Sequence, residues 1–239
     1  MILENTPYPT VLKVMQEEKE KVYYFLHKLS AKVDSPNYKG NKDVISEIYT
    51  HPKSKNTYLI WGGWITTPVV FSKLGNHNFR LGECLMVNTS NGERMVYSLG
   101  DKNDGGKMVK CLMVYTSHFL RRYRERAGWG EKMSTIDLIS TFMNRNMEMI
   151  PLDYSEFVKK PVPNGVAIQM CDGVILGSEE KYNIDGYEFN VVKHNTFIPK
   201  SLMKSDQEDA LMTKEKMRGI IAEWMKDIVS KHPILSQFI

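Results

Sequence analysis

Four arginines and one histidine crowd into Ser117-His118-Phe119-Leu120-Arg121-Arg122-Tyr123-Arg124-Glu125-Arg126, directly after the apolar run Cys111 to Tyr115. At 100° per residue, His118, Arg121, Arg122, Glu125 and Arg126 share one side of a helix, and Phe119, Leu120, Tyr123 and Ala127 fall on the other. Guanidinium forks match phosphate oxygens in pairs and steady charge that develops at phosphorus. Thr116 or Ser117 can cap this helix, which puts His118 in its first turn. Backbone N–H groups there favour an anion, and the helix dipole favours a neutral imidazole able to take a proton. Arg121 thus joins His118 as a phosphate contact. The same residues equally suit a solvated face, with Arg121 and Glu125 as an i,i+4 ion pair.

A second polar group comes from Tyr187 to Ile198. Strand alternation puts Tyr187, Phe189 and Val191 on one face and Glu188, Asn190, His194 and Thr196 on the other. If that polar face meets the His118 helix, His194 or Thr196 supplies a second catalytic group or a phosphate contact. Otherwise it is a solvated sheet surface.

Little else in the chain points to chemistry. HExxH, a P-loop, GxGxxG after a strand and a GxSxG elbow are all missing, and the acidic residues are dispersed. Cys84, Cys111 and Cys171 lie far apart in apolar runs, without CxxC or Cys/His spacing, so they suit small core residues in a reducing compartment. No cofactor and no metal is expected. His27, His51, His77 and His232 have no evident partners and are expected to be structural or on the surface.

The elements that must hold these residues follow from periodicity. A first helix over 11–32 carries Val11, Val14, Met15, Val22, Tyr23, Leu26 and Leu29 as an apolar stripe. A loop at Ser35 to Asn41 precedes a short helix near 42–50. From residue 56 the pattern turns to strands: Tyr58–Trp61 and Trp64–Thr67 as a hairpin about Gly62-Gly63, then Glu83–Ser90 and Glu93–Leu99 about Asn91-Gly92. A polar turn at Asp101–Gly106 leads to Met108–Tyr115, apolar on both faces and hence a central strand. After Gly128-Trp129-Gly130, Ser134 and Asp137 open a helix near 135–147. A proline-bearing loop over 151–164 precedes strands at 165–171, 174–178 and 187–193. Ser205 and Glu208 open a long C-terminal helix with Leu211, Met217, Ile220, Ile221, Trp224, Ile228 and Val229 inward. The fold class is α+β, a largely antiparallel sheet with packed helices, the N-terminal and C-terminal helices flanking it. Residues 1–55 form an N-terminal helical region packed on an α+β domain at 56–239, one compact unit overall.

At 239 residues with 42% hydrophobic side chains, the chain can bury a proper core. Its formal net charge of +4 permits nucleic acid as a partner, without the dense basic tract that argues for it directly. The segment MILENTPYPT lacks the pattern of a secretory signal, and no apolar run reaches the roughly 20 residues of a membrane span. A cytoplasmic protein without a membrane partner is the simplest expectation.

The order of these elements also bears a resemblance. An apolar strand, His118, Arg122 and Arg126 as His-x-x-x-Arg-x-x-x-Arg on a helix, a second helix, and paired strands ending in a Thr-bearing strand resemble the barnase/EndoU/colicin/RelE-like group of metal-independent ribonucleases. The resemblance spans residues 108–200. It implies His118 as general acid or base, Arg122 and Arg126 as phosphate ligands, and Thr196 as a contact to the phosphate or the 2′-hydroxyl. It also implies attack by the RNA 2′-hydroxyl and a cyclic phosphate product, with no metal. The strand-rich region at 56–99 and the lack of a second acid–base group at a diagnostic spacing depart from that pattern. The expected function is a toxin-like RNase acting on RNA. The alternatives are non-catalytic binding of nucleic acid or another polyanion through the same face, and a protein-interaction module of a phage or mobile element.

Overall fold

The computed structural model describes residues 1–33, 44–64, 79–104, 107–130, 132–146, 149–184, 186–213, 216 and 219. Among these residues nine strands join in one sheet: β1 (Val44–Thr50), β2 (Thr57–Trp64), β3 (Phe79–Asn88), β4 (Arg94–Asp104), β5 (Lys107–Tyr115), β6 (Ile150–Leu152), β7 (Gly165–Gln169), β8 (Gly173–Ile184) and β9 (Tyr187–Pro199). Their spatial order is β1-β2-β3-β4-β5-β9-β8-β7-β6. Each half is an antiparallel meander, and the halves meet at β5 and β9, which run parallel from Lys110↔Phe189 to Tyr115↔His194. A parallel pair needs a crossover. The helices α2 (Ser117–Arg126) and α3 (Thr135–Arg145) lie within that connection.

The expected central strand is therefore central, which explains why β5 is apolar on both faces. Val114 and Leu112 pack under α1 (Tyr8–Val33), against Val11, Val22 and Leu29. Tyr115 faces the other way and joins Phe119, Tyr123 and Phe142 from α2 and α3. A third, smaller cluster of Phe157, Val174 and Leu176 sits beneath the short helix α4 (Ser205–Asp209) and its approach.

The α+β class holds, with a larger sheet than the sequence implied. Several details differ. Residues 44–50 form a strand, not a helix: Val44, Ile45, Ile48 and Tyr49 have helix-like spacing, but three β-branched side chains and an aromatic one suit the edge they make against β2. The expected division at 55/56 consequently falls inside the β1–β2 hairpin. Gly62-Gly63 is no turn, because β2 runs through both glycines, which pair with Val44 and Ile45 on one side and Arg80 and Leu81 on the other. The Asn91-Gly92 hairpin does form, with Gly92 at φ +79°. The helix at Ser205 stops at Asp209, so it is short. The expected positions Met217, Ile220, Ile221, Trp224, Ile228 and Val229 lie outside the described residues or have no described side chain, as does the loop at 35–41. Among the described residues no helix is long and apolar enough to cross a membrane.

Candidate functional site

The chain leaves β5 at Tyr115 and enters α2 with one residue between them, and that residue anchors the helix twice. Thr116 Oγ1 accepts the Phe119 N–H at 3.1 Å, which caps α2, and donates to the His194 carbonyl of β9 at 3.0 Å. Phe119, Leu120 and Tyr123 are buried against the sheet. At the other end of α2, an Arg126 Nη1–H donates to the Phe197 carbonyl at 2.6 Å. The helix is thus tied to β9 at both ends, and its outer face is held rigidly.

That outer face carries a compact polar constellation. His118 is exposed, and its Nδ1 lies 3.1 Å from Arg121 Nη2. A guanidinium can only donate, so Nδ1 accepts and the neutral ring carries its proton on Nε2. Arg121 also donates from Nη1 to Glu93 Oε1 at 3.0 Å, so one guanidinium bridges a carboxylate and an imidazole. Glu93 follows the Asn91-Gly92 turn. A hydrogen bond from the Ser117 hydroxyl, helped by Asn91 and Arg121, holds its carboxyl below the usual range against the opposing effect of burial.

Beside this bridge runs a groove of about 270 Å³ between the β3–β4 turn, α2 and the start of α3. Arg94, Arg121, Arg124 and Glu93 supply its charge, with Leu120 and Leu138 as its floor. Arg124 is steered by bonds from Nη1 to the Met133 carbonyl at 2.7 Å and from Nη2 to Thr135 Oγ1 at 3.4 Å. Three guanidiniums with fixed directions against one carboxylate make a surface suited to phosphate oxygens.

The structure gathers only part of the expected set. His118 and Arg121 meet, but Arg122 turns to Glu125 at 3.1 Å and Arg126 to the β9 backbone. The α2 arginines that line the groove are Arg121 and Arg124, on the stripe that includes Ser117 and Leu120, rather than the 118/122/126 stripe. His194 is fully buried. Its ring stacks on Tyr115 with centroids 4.4 Å apart, and Nδ1 donates to the Val114 carbonyl at 3.2 Å. Burial pushes its pKa down to about 4, with the Val114 bond opposing. It lies on the apolar side of α2, opposite His118, and cannot reach a phosphate on the outer face.

Thr196 is on the other face of the sheet. Leu176 pairs with Thr196 while the adjacent Gly177 pairs with His194, so Asn195 is an extra residue in β9. This bulge reverses the alternation. Val192, His194 and Phe197 thus face α2 and α3, whereas Thr196 and Ile198 face away.

Two further polar networks escaped notice in the sequence. Asp172, in the β7–β8 turn, accepts from Tyr123 Oη at 2.7 Å, from Arg145 Nε at 3.1 Å and from Asn146 Nδ2 at 2.9 Å. Burial opposes its ionisation, but these three partners together hold its carboxyl below the usual range. The network locks α2, α3 and the turn together, and the Arg145 guanidinium also lies over the Trp129 ring. Under α1, Glu18, His51 and Ser54 look like a nucleophile relay, but they are not arranged as one. The Ser54 hydroxyl at 3.0 Å and the Glu18 carboxylate at 3.4 Å both meet His51 at Nδ1, whereas a relay needs them on opposite ring nitrogens. Among the described residues no group of three His, Cys, Asp or Glu side chains is placed to hold a metal ion.

Comparison with protein-family models, with curated proteins and with solved structures finds no match to this chain.

Proposed function

We propose that this protein binds a nucleic acid by its phosphate backbone, through the groove between the β3–β4 turn and α2. The observation that carries this reading is the set of three arginines, Arg94, Arg121 and Arg124, around one solvent-open groove. Each has a protein partner that fixes the direction of its guanidinium: Met86 Sδ for Arg94, Glu93 for Arg121, Met133 O for Arg124. Direction rather than charge count distinguishes this from a solvated helix face.

One observation favours a second reading, cleavage of RNA without a metal. Glu93, ionised by its partners, and His118 flank the same guanidinium. A phosphate that displaces those contacts on Arg121 leaves a carboxylate to take the 2′-hydroxyl proton and an imidazole that, once protonated, can give one to the leaving 5′-oxygen. In this reading Glu93 fills the place that residues 194–196 were expected to fill.

Incubating labelled RNA with the protein in EDTA separates the two readings. The binding reading expects a retarded but intact RNA. Cleavage that falls at least a hundredfold in both His118→Ala and Glu93→Gln establishes the ribonuclease. Neither retardation nor cleavage at low salt rejects both.

A further inference from the structure

The groove between the β3–β4 turn and α2 already holds an anion of its own. Glu93 lines it beside Arg94, Arg121 and Arg124. Its Oε1 accepts from Arg121 Nη1 at 3.0 Å, while Arg121 Nη2 lies 3.1 Å from His118 Nδ1. Both terminal nitrogens of that guanidinium are therefore engaged. A paired grip on two phosphate oxygens draws on the same nitrogens. A phosphate must take them from the carboxylate and the imidazole.

Glu93 is seated rather than loose. Asn91 brackets it: the Asn91 Oδ1 accepts the Glu93 N–H at 3.2 Å, and the Asn91 Nδ2 donates to Glu93 Oε2 at 3.3 Å. The Ser117 hydroxyl, at the first residue of α2, gives the carboxylate a further bond. The turn itself is closed by the Gly92 N–H to the Thr89 carbonyl at 3.0 Å and the Thr89 N–H to the Glu93 carbonyl at 2.9 Å. It is also pinned from the N-terminal segment, where Glu4 Oε2 accepts the Ser90 N–H at 2.7 Å. Neutral donors from the turn and from α2 thus fix the carboxylate in place and favour its ionised form.

Glu125, the acid on α2 itself, is placed differently. It pairs with Arg122 at 3.1 Å within one helix, and neither residue lines the groove. Glu93 reaches Arg121 from another element and inside the groove. The Arg121 side chain is 51% exposed and that of Glu93 33%, so a ligand can approach the guanidinium from the solvent side. Once Arg121 turns to a ligand, Asn91 and Ser117 still bond the carboxylate, and the exchange strands no charge.

We propose that Glu93 is an internal counter-ion, which occupies Arg121 in the free protein and must be displaced before that guanidinium can grip a phosphate. It thereby sets the affinity threshold of the groove, a regulation that rests on the phosphate-binding reading given above. The bond that aims the Arg121 guanidinium is also the bond that withholds it. Aim and occupancy are separable, because an amide oxygen in place of the carboxylate accepts the same N–H without carrying charge.

Fluorescence-anisotropy titration of the full chain against a labelled single-stranded DNA at low salt tests the assignment. DNA lacks the 2′-hydroxyl, so the readout is binding alone, whether or not the protein cleaves RNA. Glu93→Gln should tighten binding about two- to fivefold, the upper part of what a partly exposed ion pair contributes. In an Arg121→Ala background the same substitution should lose most of that gain, because the guanidinium it frees is gone. Equal or weaker binding by Glu93→Gln overturns the proposal and leaves the groove standing as a binding site. A full gain in the Arg121→Ala background also overturns it, since Glu93 then acts through net charge and not on Arg121. If neither the parent nor Glu93→Gln binds DNA, the phosphate-binding reading fails and the proposal falls with it.

Discussion

Acidification should expose His194 as a core residue. In the native state the ring is fully buried against Tyr115, its Nδ1–H given to Val114, and its pKa is pushed down to about 4 from an ordinary value of 6.5. Above pH 6.5 the imidazole is neutral in both folded and unfolded chains, and its titration contributes nothing. Between pH 6.5 and 4 the unfolded chain binds a proton that the folded chain refuses, so stability falls as pH falls. Below about pH 4 both states bind the proton and this loss levels off. Integrated over that window, a shift of this size corresponds to about 3 kcal/mol, of which between 2 and 3 kcal/mol is lost by pH 4.5. For a chain of this length the loss lowers Tm by roughly 5–12 °C. Urea denaturation at pH 7.5 and 4.5 should show it in the parent protein. In His194→Gln the loss should shrink by that amount, although the variant starts less stable because the stacking is gone. Buried carboxylates such as Glu18 and Asp172 destabilise both proteins alike at low pH, so the difference isolates the imidazole. Equal losses in parent and variant would refute the burial argument and return His194 to the pool of accessible site residues.

Other expectations follow from the same contacts. Asp172→Ala strands the Arg145 guanidinium and the Tyr123 hydroxyl in a mostly buried setting, and should cost roughly 3 kcal/mol in urea denaturation; a cost below about 1 kcal/mol would show that the network is slack. Thr116→Ala removes the α2 cap and the tie to the His194 carbonyl, an expected loss of about 1–2 kcal/mol, with Thr116→Ser retaining most of it. Gly177→Ala sets a methyl against the Lys193 carbonyl at the β9 bulge and should destabilise by about 1–3 kcal/mol, read as a lowered Tm; an unchanged Tm would argue against the bulge.

The local grammar of the fold was legible. Spacing and caps marked α1, α2 and α3, the Asn91-Gly92 turn marked its hairpin, and a run apolar on both faces marked β5 as central. Gly62-Gly63 misled because a glycine pair signals a turn only where no neighbour strands continue the ladder through it. The site was half legible for a related reason. Helical periodicity placed His118 and Arg121 together, but a single extra residue, Asn195, carried Thr196 to the other face of the sheet. Nothing local in a strand announces such a bulge. Glu93 was missed because it belongs to α2 only through the long-range docking of the β3–β4 turn. Its position just after that turn was the one available sign.

Salt dependence of RNA binding tests the central claim most directly. If Arg94, Arg121 and Arg124 meet phosphates, log K for a single-stranded RNA should fall with log salt at a slope near −2, about a 20-fold loss between 50 and 200 mM. Arg121→Ala should weaken binding at low salt and flatten the slope by about 0.7, whereas Arg122→Ala, whose side chain turns to Glu125, should change neither. Binding with no salt dependence, or a slope that Arg121→Ala leaves intact, would contradict the account.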